Sequence, residues 1–65
     1  MAAMVWVISY RRRDETTGFV RWYKDHRKWV DRAHGKTATQ YATREAAIAD
    51  IPVGLSRPDV RLCSN

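Results

Sequence analysis

Cysteine is almost missing from this chain. The one thiol, Cys63, has no partner for an internal disulfide, which excludes a disulfide-stapled secreted scaffold and suits a reducing, cytoplasmic setting. Glycine and proline are scarce, at three and two, and Gly18, Gly35 and Gly54 are too isolated to build a phosphate-cradling loop. His26, His34, Cys63, Asp25 and Asp31 are joined by neither Cys-x-x-Cys nor His-Glu-x-x-His spacing, so no metal and no cofactor is expected. Long hydrophobic runs are missing too: the N-terminal apolar stretch ends at Ile8 with no basic residue ahead of it, so it is expected to be neither a secretory leader nor a membrane span.

What remains is small, aromatic and basic. A chain of 65 residues allows one domain with one small core. It buries only about 60% of the surface its unfolded form exposes, so large side chains must carry the stability. Three tryptophans, three tyrosines and one phenylalanine supply them. With no separate catalytic domain and few clefts to hold an acid–base pair, no enzymatic activity is expected.

The charge is unevenly placed. Residues 1–36 hold nine Lys/Arg against four Asp/Glu, whereas residues 37–65 hold three of each, so the whole excess of +5 lies in the first part. That part reads as β structure. In "MVWVISYR", Trp6, Ile8 and Tyr10 alternate with Val5 and Val7, which predicts a strand over 4–11 with Trp6, Ile8 and Tyr10 in the core. "DETTG" supplies turn chemistry, with Gly18 free to take a positive φ, and leads into a second strand over 18–24. "KDHRK" reverses the chain again into a third strand over 28–33.

Beyond Gly35 the pattern changes. Thr43 is a candidate N-cap, Glu45 suits the first turn, and Ala47, Ile48 and Ile51 recur at helical spacing until Pro52 stops the helix, which is expected over 44–51. So short a helix must lean on the sheet to persist. "DVRLC" alternates again and could add an edge strand over 59–63. The expected fold class is therefore α+β: a three-stranded antiparallel sheet packed on one short helix, with room for a fourth C-terminal strand.

The runs W-V-I-S-Y-R, G-F-V-R-W-Y and A-T-Q-Y-A-T-R-E-A-A resemble the arm-type DNA-binding domains of tyrosine-recombinase integrases, over about residues 4–51. That resemblance implies a sheet lying in the major groove, with Arg21, Lys24, Arg27 and Lys28 in contact. The helix is shorter here than in that family, and no recombinase domain follows within these residues. A small basic module of this kind is also similar to phage-encoded accessory proteins, including anti-CRISPR proteins.

The candidate binding residues are Arg11, Arg12 and Arg13 at one end of the sheet, Lys24, Arg27 and Lys28 in the second turn, and Arg21, Trp22, Trp29 and Arg32 on the strands. Basic groups at a strand end or on a hairpin ribbon can meet phosphates. Each also has a plainer reading: "RRR" as a solvated strand end, "KDHRK" as a polar turn, and the rings as a shield for a thin sheet. Two partner classes follow. One is DNA or RNA held by phosphate contacts; the other is an acidic or nucleic-acid-handling host protein anchored by Trp22 or Trp29. Open sheet edges also permit a homodimer.

Overall fold

Residues 4–64 are described by a computed structural model; the start of the N-terminal apolar run, residues 1–3, lies outside them. The alternating β-branched and aromatic residues of the first segment form strand β1 (Met4–Arg11), followed by β2 (Thr17–Tyr23) and β3 (Lys28–Arg32). A short helix α1 (Arg44–Ala49) and a last strand β4 (Asp59–Ser64) complete the chain. The strands form one antiparallel sheet in the order β3-β2-β1-β4. The fourth strand is real, and it makes β1 central by setting Val60 opposite Ile8 and Leu62 opposite Trp6.

Strand alternation divides the sheet into two faces. The first carries Trp6, Ile8 and Tyr10 of β1, Val20 and Trp22 of β2, Trp29 and Asp31 of β3, and Val60 of β4. Helix α1 covers this face, and Ile8, Val20, Ala47 and Val60 form the buried core with Trp6, Tyr10, Trp29 and Tyr41 packed around it. Thr43 caps the helix as expected, its hydroxyl accepting from Ala46 N–H at 3.1 Å. The helix ends at Ala49, before the expected Ile51. Asp50 N–H reaches Ala47 and Ile51 N–H reaches Ile48, so its last turn tightens to three-residue closures. Ala47 alone is buried from α1; Ile48 points outward.

Gly18 serves a different purpose from the one its sequence suggests. The positive φ in the first turn belongs to Glu15, at 69°. Asp14 organises that turn by accepting from both the backbone N–H and the hydroxyl of Thr16. Gly18 lies within β2 opposite Tyr10, where a Cβ would come 2.5 Å from the tyrosine ring. Its missing side chain makes room for Tyr10.

After β3 the chain changes faces. Gly35 sits against Cys63 and Phe19 on the side away from the helix, in a 3-10 turn over Gly35–Thr37. Thr39 N–H then donates to Val20 C=O, Trp22 N–H donates to the Thr39 hydroxyl, and Tyr41 exchanges both backbone bonds with Trp6. Residues 38–41 therefore thread between β1 and β2, which pair with each other only from Ser9 to Arg11. This passage supplies partners to backbone groups that the splayed strands would leave open. It buries Ala38 and brings α1 to the opposite face.

Candidate functional site

The face away from the helix carries Val5, Val7, Ser9 and Arg11 of β1, Phe19, Arg21 and Tyr23 of β2, Lys28, Val30 and Arg32 of β3, and Asp59, Arg61 and Cys63 of β4. Its centre is closed. Val7 and Ser9 are fully buried, the Ser9 hydroxyl donates to Asp59 C=O, and the segment at Gly35 lies against Phe19 and Cys63. The basic residues flank this strap.

On one flank lies a groove of about 520 Å³ lined by Arg21, Tyr23, His26, Lys28, Val30, Arg32 and Thr37. Register explains the grouping. Arg21 stands opposite Val30, and Lys28 and Arg32 lie two residues to either side of Val30 on the same face. Neighbouring cationic positions along β3 are thus separated from Val30 by about 7 Å. Thr37 orients two of them: its carbonyl accepts from the Arg21 guanidinium at 3.2 Å and its hydroxyl accepts from Arg32 Nε at 3.2 Å. The Tyr23 and His26 rings stack at 4.9 Å and 19° at the groove's end. No carboxylate lines it.

On the other flank Arg11, Arg57, Arg61 and Asp59 line a smaller depression of about 140 Å³. Arg61 extends over the Phe19 ring, 5.9 Å from its centroid. Arg11 donates to Glu15 C=O, and Arg57 pairs with the Glu15 carboxylate at 3.1 Å.

The ten residues singled out in the sequence separate by face. Arg11, Arg21, Lys28 and Arg32 share the helix-free side. Arg12 does not join them. It binds both Asp31 oxygens at 3.0 Å, lies over the Tyr10 ring and reaches Arg32 C=O and Thr17 C=O, so it braces the fold on the helix side. Tyr10 donates to the same carboxylate. Burial alone pushes Asp31 up, but the hydrogen bonds from Tyr10 and Arg12 outweigh it and hold the carboxyl below its usual range. The hydrogen bond to Asp31 pushes the Tyr10 phenol upward. Arg13 is exposed in the first turn, Lys24 lies in the 3-10 turn Lys24–His26, and Arg27 follows it in left-handed geometry at φ 49°.

Trp22 and Trp29 are cross-strand partners on the helix side, with ring centroids 5.3 Å apart. They cover the part of the sheet that six-residue α1 does not reach. Trp22 stays 38% exposed there, beside a concavity lined by Lys24, Asp25, Thr39 and Gln40. Of the expected binding residues, Arg21, Lys28 and Arg32 line the groove, and Arg11 alone lines the second depression.

Arg61, Tyr23, His26 and Thr37 belong to this face although they were not among the expected contacts. Arg61 could have been found from the alternation of "DVRLC" once that segment was placed beside the first strand. Thr37 carries no sequence signal. Among the described residues no group of His, Cys, Asp and Glu could hold a metal, and no helix is long and apolar enough to cross a membrane. Comparisons with protein-family models, with curated proteins and with solved structures gave no match.

Proposed function

We propose that this chain is a non-enzymatic basic module that binds nucleic acid through the sheet face opposite its helix. The carrying observation is the sorting of Arg11, Arg21, Lys28, Arg32 and Arg61 onto that one face, with Asp59 the only carboxylate on its strands. The two ion pairs among the described residues consume Arg12 and Arg57 and leave these five cations available for an external anion. Internal hydrogen bonds from Arg21 and Arg32 to Thr37 preset their direction, which reduces the ordering cost when a phosphate arrives.

Contacts of this type carry little sequence information, since phosphate positions the partner while base edges specify it. The test is a titration of labelled oligonucleotides across a range of salt. If about five cations meet phosphates on duplex DNA, log K falls with log salt at a slope of roughly −4 to −5. A slope near zero overturns this reading.

One observation favours a second reading, an inhibitor or adaptor of the anti-CRISPR kind that docks on a host protein. The half-exposed Trp22, backed by Trp29 beside Lys24 and Asp25, is a compact aromatic anchor of the kind that concentrates interface affinity. In that case Trp22→Ala costs more affinity for the host partner than any single arginine substitution on the other face.

A further inference from the structure

The groove on β2 and β3 combines two chemistries that duplex binding does not need together. Its cations can meet a phosphate from three sides, with Arg21 across from Val30 and Lys28 and Arg32 flanking it. Its end is aromatic: Tyr23, a residue 41% exposed, stacks its ring on His26 and lines the same space. Val30 gives the floor between them an apolar surface. The groove's volume of about 520 Å³ leaves room for a nucleotide-sized group rather than a flat backbone alone.

From this juxtaposition we propose that the groove binds single-stranded nucleic acid, with a phosphate held among Arg21, Lys28 and Arg32 and an unpaired base stacked at the Tyr23–His26 pair. The inference rests on the nucleic-acid reading above and deepens it. A paired base cannot use the aromatic end, because both its faces are occupied within the duplex stack. An unpaired base can, whatever its identity, since each base offers a π-face to an aromatic ring. The arrangement therefore discriminates strandedness more than sequence. Lys28 and Tyr23 are direct cross-strand partners, which places a cation beside the ring where the phosphate adjoining the stacked base would lie.

The experiment is fluorescence anisotropy at about 50 mM salt with three labelled probes: an oligothymidylate of about 12 nucleotides, an abasic strand of the same length, and a duplex of the same length. The oligothymidylate is expected to bind about tenfold or more tightly than the abasic strand and more tightly than the duplex, the effect of about one base–aromatic stack. Tyr23→Leu should bring oligothymidylate binding down to the level of the abasic strand, and Tyr23→Phe should keep the advantage. Should Tyr23→Leu lose its fold by circular dichroism, the abasic comparison on the unaltered protein decides alone. Equal binding of abasic and base-bearing strands, or tighter binding of duplex, overturns the single-strand inference and leaves the phosphate reading standing. Failure of all three probes to bind overturns both.

Discussion

The ring of Tyr10 lies directly over Gly18, its partner across the β1–β2 pair, and it can do so only because position 18 has no side chain. A Cβ there would also come 2.8 Å from an Asp31 oxygen, so one atom would disturb both the ring and the carboxylate to which it donates. Alanine is ordinarily the better strand residue, since glycine costs more conformational entropy on folding. Here steric overlap with Tyr10 wins. Gly18→Ala is expected to lower stability by about 1–3 kcal/mol, the usual cost of forcing extra volume into a packed site, read as a lower urea midpoint at unchanged m-value.

The same carboxylate predicts a response to acid. Asp31 is held below its usual range, so its ionised form favours the fold. That contribution is fully present above the unfolded carboxylate value of about 4 and is lost as pH falls through the lower folded value. Because the Asp31 side chain is 53% exposed, the effect should stay below about 1 kcal/mol. Urea midpoints measured between neutral and acid pH should fall for the unaltered protein and fall less steeply for Asp31→Asn.

Helix α1 depends on its cap. With only six residues, it has few internal hydrogen bonds to offset the loss of the bond from Ala46 N–H to Thr43. Thr43→Ala should cost about 1 kcal/mol. Since Ala47 is the only buried residue of the helix, the loss should appear as faster amide exchange in α1 ahead of exchange in β1.

The strands were readable because their alternation is strong, and the Thr43 cap because hydroxyl, helix former and proline stop stand in order. Long-range relations were less so. Nothing in "HGKTATQ" shows that Gly35 lies on one face while Tyr41 bridges to Trp6 on the other. Apart from the Thr39 hydroxyl, the chain passing between the two splayed strands uses backbone groups, and these are the same in every sequence. Similarly, "RRR" reads as three equal charges, yet alternation turns Arg11 towards the helix-free face and Arg12 towards Asp31. Charge was legible in composition, whereas its division between bracing and binding required the register.

That division makes Arg12 and Lys28 a matched pair of tests. Both are basic residues of the first half, but Arg12 is spent on Asp31, Thr17 and Arg32, whereas Lys28 forms no side-chain hydrogen bond or ion pair in the described structure and lines the groove. Lys28→Ala should weaken oligonucleotide binding across sequences and reduce the magnitude of the salt slope by about 1, with the urea midpoint unchanged. Arg12→Ala should do the reverse: it removes a side chain that ties β1, β2 and β3 together, and lowers the midpoint while leaving affinity per folded molecule near its original value. The loss should exceed that of a single exposed ion pair, because several bonds end on one guanidinium. A folded Arg12→Ala protein that loses affinity and salt slope as Lys28→Ala does would place the binding surface on the helix side, where Trp22 and Trp29 lie.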